Sequence, residues 1–270
     1  MNLGSLLKKL KVRTMRLFAR GNRRLMVELV WAELKLADQN SILGFLWSCL
    51  NPVLMLLIMY FIFKFSFSQK IPAYPLYLLV GIACVNFFIA TTTYSTKVFS
   101  INRDFILNTT VPREMVVLSR LFVHTYKFII ELALCLILSF VYGVFSGGQI
   151  FLLLPLLLSY MALILSFSFL LSLLYCFVRD IEHIWMLLSR LFLFVTPIFY
   201  KLESVSLLFR NFIYWANPIT PYVISFHEII IKGGNLNLYN YLYALVLGLA
   251  LLILSYSIFL AIENFALERS

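Results

Sequence analysis

Charge is scarce in this chain. Asp, Glu, Lys and Arg make up 13% of its 270 residues and apolar types 62%, against roughly 25% and 45–50% in soluble domains. That shortage excludes a soluble globular fold. Cysteine is sparse too: Cys49, Cys84, Cys135 and Cys176 each stand alone in an apolar run, which argues against a disulfide framework or a CxxC metal site and marks them as small core residues. The usual catalytic signatures are missing. There is no HExxH, no GxSxG elbow and no DxD-like cluster, and His124, His183 and His227 lie far apart, so neither a catalytic residue nor a metal ligand set is expected. No GxxxxGK[ST] loop occurs either, so the chain cannot hydrolyse ATP in the P-loop manner by itself. The first 40 residues lack the short apolar core of a cleavable signal, and none is expected.

What is present is length without charge. Gln39 to Phe63, Ile71 to Thr96, Leu132 to Val178 and Gly233 to Ile262 carry no charge, and each matches or exceeds the roughly 20 residues that cross a hydrocarbon core. Backbone amides in lipid must be satisfied within a segment, and nothing alternates as a barrel strand would, so the spans are helices. The expected fold is an all-α polytopic membrane protein with six spans, at about 42–67, 74–98, 116–144, 150–177, 184–200 and 238–262. The third and fourth come from dividing the uncharged run at Ser146-Gly147-Gly148, a turn signal. Two parts follow: residues 1–40 as a basic tail and interface helix, and 41–270 as one transmembrane domain.

Nine of the 22 basic residues fall before residue 41. A basic tail beside a first span reads as a cytoplasmic anchor at anionic lipid rather than as a nucleic-acid surface. The lysine and arginine bias of the connections puts both termini in the cytoplasm.

Two segments depart from a plain six-helix picture. Leu25 to Leu36 places Leu25, Leu29, Ala32 and Leu36 on one helical face, with Glu28, Glu33 and Lys35 breaking up the other. This is an amphipathic helix at the membrane surface. Lys201 to Asn237 is too apolar for a loop and too broken for a span, since Pro218 and Pro221 interrupt any helix and Gly233-Gly234 ends the piece. Two short helices dipping into the outer leaflet fit this pattern.

Polar residues on the spans carry the remaining signal. Arg120, His124, Lys127 and Glu131 recur at spacings of four, three and four, along one stripe of the third helix. Charges inside a span face protein or water, so the stripe lines a hydrated path or forms an internal ion-pair network. The hydroxyl-rich run Thr91 to Thr96, with Tyr94 inside it, leads to Lys97, and its threonines can bond back to their own carbonyls. Arg190, about a third of the way into the fifth span, must snorkel or face a cavity. In the connection before that span, Asp180 is a candidate helix cap, and Glu182 suits the first turn.

Ser41 to Pro52, SILGFLWSCLNP, resembles the start of the first span in permease subunits of ABC-2 type polysaccharide exporters, the group that moves O-antigen, capsule and teichoic acid chains. Arg179-Asp180, Thr196-Pro197-Ile198-Phe199-Tyr200 and Asn217-Pro218 continue the resemblance in the same order, so it covers nearly the whole chain from Leu25. It implies a homodimer in the bacterial inner membrane with two ATP-binding cassette subunits, which would bind ATP and Mg; this chain would need no cofactor. The implied cargo is an undecaprenyl-linked polysaccharide, moving through a channel at the dimer interface. Leu25 to Asp38 resembles a surface helix that cradles the ATPase, Asn102 to Glu114 a coupling helix, and Phe209 to Lys232 the outer gate helices. The corresponding coupling candidates are Glu28, Glu33, Arg103, Asp104, Arg113, Glu114, Arg179, Asp180 and Glu182. Channel-lining candidates are Tyr94, Lys97, Arg120, His124, Lys127, Glu131 and Arg190, and gate candidates are Phe212, Tyr214, Trp215, Pro218 and Pro221. Two rival readings stay open: a membrane enzyme acting on a lipid-linked sugar, with His124 and Glu131 as its best groups, and a proton-driven transporter using the 120–131 stripe as a relay.

Overall fold

The computed structural model describes residues 20–38, 46–67, 71–109, 111–145, 147–234 and 236–268. Every regular element among them is helical. In chain order these are α1 (Arg20–Asp38), α2 (Leu46–Phe67), α3 (Tyr74–Thr96), α4 (Val98–Ile101), α5 (Arg103–Asn108), α6 (Glu114–Val141), α7 (Gln149–Phe177), α8 (Ile181–Val195), a 3-10 turn at Leu202–Ser204, α9 (Leu207–Ala216), α10 (Thr220–Ile231) and α11 (Leu238–Glu268).

Four helices are long and apolar enough to cross a membrane: α3, α6, α7 and α11, the last over Leu238–Glu263. The fifth expected span is shorter than 184–200. Helix α8 has 15 residues, about 22 Å at 1.5 Å per residue, less than the roughly 30 Å of a hydrocarbon core. It stops at Val195 because Thr196 precedes a proline, which disfavours the helical region, and Thr196 accordingly sits at φ −67°, ψ 138°.

The third span closes three residues before the expected 144. Gly143 at φ 70° follows α6, with Val144 N donating to Ser139 O at 3.0 Å and Gly143 N to Phe140 O at 3.0 Å. These paired bonds form a Schellman cap, which favours glycine at that position. The helix of the sixth span runs on past 262 to Glu268.

Helix α3 is the centre of the fold. It packs against α2, α6, α7, α8 and α10, and its residues are buried nearly all round, including Leu76, Leu78, Ile82, Val85 and Phe88. A helix apolar on every side has no solvent face to offer and belongs inside a bundle. The stack Phe87–Phe128, with ring centroids 4.6 Å apart, ties α3 to α6, and Tyr160 of α7 donates to Cys84 O at 2.8 Å. A smaller core of Phe99, Ile106, Val117, Phe169 and Phe259 joins α4, α5, α6, α7 and α11 at one end of the bundle. Cys84, Cys135 and Cys176 are buried and unbridged, as expected of core cysteines; the Cys49 side chain lies outside the described residues.

The most extensive helix pair is α7 with α11. Gly248 allows it: a Cβ there would overlap Ser159 O and Tyr222 Oη, where Ser159 Oγ and Tyr222 Oη both reach Ala244 O, at 3.0 and 2.6 Å. Gly248→Ala should therefore lower stability by about 1–3 kcal/mol through overpacking. Gly147→Ala, with nothing within 4 Å of the added carbon, should leave the thermal unfolding midpoint in detergent unchanged; equal midpoints for both variants would contradict the close approach of α7 and α11.

Candidate functional site

At one end of the bundle the charged residues sort into internal pairs and exposed groups. Helix α1 lies on α6, where Arg120 Nη1 meets Glu33 Oε2 at 3.1 Å and Ser119 Oγ donates to Glu33 Oε1 at 3.4 Å. Glu33 therefore belongs to the packed face with Leu25, Leu29 and Val30, while Ala32, Val27 and Trp31 face outward. This corrects the expected face: a buried partner on α6 outweighs simple apolar periodicity. Burial pushes the Glu33 carboxyl above its usual value, and Arg120 and Ser119 pull it back only in part.

Within the expected coupling segment, 102–114, the chain forms α5, with Arg103 and Asp104 exposed and Ile106 anchoring α5 in the small core. Arg113 and Glu114 turn inward instead. Tyr256 Oη donates to Glu114 Oε1 at 3.1 Å, and Arg113 Nη1 lies 3.7 Å from Glu263 Oε2. These contacts bind the start of α6 to the last turns of α11.

Glu182 is likewise occupied, pairing with Lys97 Nζ at 2.5 Å. That bridge links the end of α3 to the first turn of α8, and one turn further Trp185 Nε1 donates to Thr92 Oγ1 at 3.1 Å. Lys97 thus holds α8. Asp180 occupies the position before α8 without a side-chain capping bond, its backbone being helical rather than the extended form a cap needs. Arg179 and Asp180 are exposed. Exposed Glu28, Arg103, Asp104, Arg179 and Asp180 make no ion pair among the described residues.

Midway along the bundle, His124, Lys127 and Glu131 of α6 share a cavity of about 310 Å³ with Asn86 and Tyr94 of α3 and Asn51 of α2. The Tyr94 and His124 rings are 5.1 Å apart. The stripe on α6 is therefore split: Arg120 serves α1, and the other three line a polar pocket. Half of the hydroxyl run behaves as expected, with Thr91, Thr92 and Thr96 donating to Phe87 O, Phe88 O and Thr92 O at 2.7, 2.7 and 2.9 Å, while the Thr93 and Ser95 hydroxyls are buried without a hydrogen bond among the described residues. Arg190 is exposed on α8 among exposed apolar neighbours that include Leu187, Leu191 and Phe194.

At the opposite end, the two proline motifs meet. Asn217 Nδ2 donates to Thr196 Oγ1 at 2.8 Å, and Asn217 Oδ1 accepts from Ile219 N at 3.0 Å. Pro218 separates α9 from α10, and Pro221 sits buried in the first turn of α10, where a missing N–H costs nothing. Phe212 and Trp215 are exposed on α9, and Tyr214 is half-buried with Oη donating to Asn240 Oδ1 at 2.7 Å. Sequence reading missed the supports of this end, Tyr77 and His227, whose rings stack at 3.8 Å. An isolated tyrosine and histidine in apolar runs give no spacing signal.

This all-helical chain, with an amphipathic helix, charged loops at one end and proline-broken short helices at the other, belongs to the ABC-2 type transporter family, whose model matches residues 24–231. Among curated proteins it is similar to two O-antigen export system permease proteins of Klebsiella pneumoniae, at 30% and 29% identity over 239 residues, 87% of this chain and 90% of each relative. It is also 28% identical to the O-antigen export system permease protein of Myxococcus xanthus over 208 residues, 77% of this chain and 80% of that one.

Two outcomes follow from the pairs. An ionised Glu33 is the disfavoured form, so its cost grows as pH rises from the ordinary carboxylate value to the raised one. Glu33→Gln should remove that cost and keep α1 protected from hydrogen exchange with less pH dependence, whereas Arg120→Glu should release α1; equal protection in both would contradict the docking. Asn217→Ala, which strands buried partners, should cost about 1–3 kcal/mol, read as a lower unfolding midpoint than Asn211→Ala.

Proposed function

We propose that the chain is the membrane-spanning subunit of an ATP-driven exporter that moves a lipid-linked, O-antigen-like polysaccharide across the bacterial inner membrane. What carries the reading is the shared name of the relatives over most of the chain's length. Two copies form the channel, and two separate ATP-binding subunits supply the energy, binding ATP and Mg. Helices α2 and α8 complete six spans, α9 and α10 dip back into the outer leaflet as a gate, and both termini are cytoplasmic.

Physical support comes from where charge is left over. An exposed guanidinium on an apolar helix is costly in lipid, so Arg190 favours placing the outer side of α8 on a hydrated path. At the other end, Glu28, Arg103, Asp104, Arg179 and Asp180 are exposed charges available to a cytoplasmic partner. Motion of α5 would reach α8 through Lys97–Glu182 and Thr92–Trp185, because those contacts join the end of α3, which leads into the coupling segment, to α8. The cavity at His124, Lys127 and Glu131 is the one feature that favours a proton-driven alternative.

Reversing Arg103 and Asp104 together, or Arg179 and Asp180 together, should leave membrane insertion intact and ATP hydrolysis by the purified complex within about twofold, while export falls about tenfold or more, a barrier change near 1.4 kcal/mol. Export at the unmodified rate in both reversals would remove the coupling role. Failure of any Walker-motif ATPase to copurify with the tagged chain would remove the ATP-driven reading itself.

A further inference from the structure

The end of the bundle that carries α9 and α10 holds a second polar cavity, of about 400 Å³, within the usual range for small-ligand pockets. Its floor is the stacked pair Tyr77 and His227. That floor is rigid: Tyr77 Oη lies 3.1 Å from Pro197 O and 2.9 Å from Tyr200 O, and His227 Nε2 lies 2.9 Å from Tyr77 O. One wall is aromatic, formed by Tyr214 and Trp215, with Tyr243 behind them at ring distances of 5.7 and 5.3 Å. The remaining lining mixes polar side chains with Pro197, Leu202, Ile224 and Tyr239.

The polar groups are of two kinds. Some are already used: Glu228 accepts from Lys232 Nζ at 3.1 Å and Asn237 N at 3.0 Å, and Asn240 Oδ1 takes the Tyr214 hydroxyl. Others are unused among the described residues: Lys201, Glu203, Arg210, Asn211 and the amide nitrogen of Asn240. The unused charges nearly balance, two cations against one carboxylate. Amides, one carboxylate and guanidinium beside ring faces form a set that can bond to many hydroxyls while stacking on a flat apolar ring face.

We infer that this cavity is a sugar-binding pocket, one in each chain, in which Trp215 and Tyr214 stack a ring of the glycan while Arg210, Asn211 and Asn240 bond its hydroxyls. The inference rests on the glycan-export reading above and adds a resting place for the chain at the outer end. The surplus of one cation leaves room for an acidic substituent on that ring. A phospholipid headgroup fits less well, because it would leave the amides and the aromatic wall without work.

The test uses the full chain in nanodiscs, with O-polysaccharide of the producing strain cleaved from its lipid and cut to short oligosaccharides as the probe. Saturation-transfer NMR and titration calorimetry should show saturable binding. Trp215→Ala and Asn240→Ala should each weaken it about tenfold, the effect of losing a ring stack or the amide N–H donors together with the bond that holds Tyr214. Trp215→Phe should keep most of it, and Phe151→Ala, exposed on α7, should keep all of it. Absence of saturable binding, equal binding in every variant, or loss of binding on adding phosphatidylethanolamine overturns the pocket. ATP-dependent export is measured in parallel: export without oligosaccharide binding overturns the pocket alone, and binding without export overturns the export reading and leaves the pocket standing.

Discussion

Four tyrosine-to-carbonyl bonds set the terms for the rest of this molecule. After α8 the chain leaves helical geometry at Thr196-Pro197 and doubles back inside packed protein, where unpaired carbonyls are expensive. Tyr200 Oη takes Val195 O at 2.7 Å, Tyr77 Oη reaches Pro197 O and Tyr200 O, and Tyr74 Oη takes Phe199 O at 3.2 Å. Two of these tyrosines lie in the first turn of α3, so the central helix both fills the core and supplies the donors that make the break tolerable. Gly81 completes the arrangement, because a Cβ there would come within 2.9 Å of Ile198 Cγ2. With the break secured, Thr196 can fix Asn217, and Asn217 in turn sets the bend between α9 and α10. The short outer helices therefore depend on α3 more than on each other.

The other end is organised by charge. Glu33–Arg120, Lys97–Glu182 and Arg113–Glu263 each join elements far apart in sequence, and Tyr256–Glu114 adds a hydrogen-bonded carboxylate. Exposed ion pairs contribute little stability. Partly buried ones at helix ends act chiefly as connectors, fixing which elements must move together. Here they make α1, α6 and α11 one unit and α3 with α8 another, with α4 and α5 between them. A push on α5 has two routes into the bundle, and the route through Lys97 leads to the helix that carries Arg190.

The helical class and the helix order were legible in the sequence, because long uncharged runs admit few alternatives. Three threonines of the 91–96 run, Thr91, Thr92 and Thr96, follow from backbone chemistry alone, whereas Thr93 does not. Interrupted segments were read less well. Residues 184–200 look like one apolar span, and only the conformational restriction before Pro197 ends α8 early. Glu33 was assigned to the wrong face, and the 120–131 stripe was read as one unit, because periodicity knows nothing of a partner on another helix. Neither Tyr77 nor His227 announced itself, since each gains its role from a contact about 150 residues away. Residues 41–45, which carry part of the family resemblance, and the tail before residue 20, which holds five of the nine basic residues before residue 41, lie outside the described residues.

The central claim is that cargo movement is driven by ATP through partner subunits and not by a proton gradient through the polar cavity of α6. The most direct measurement is movement of a lipid-linked glycan by the purified complex in proteoliposomes, with and without ATP and with and without an uncoupler. The account predicts transport that requires ATP and continues at the same rate when the gradient is collapsed. Transport that proceeds without ATP and stops with the uncoupler would contradict it.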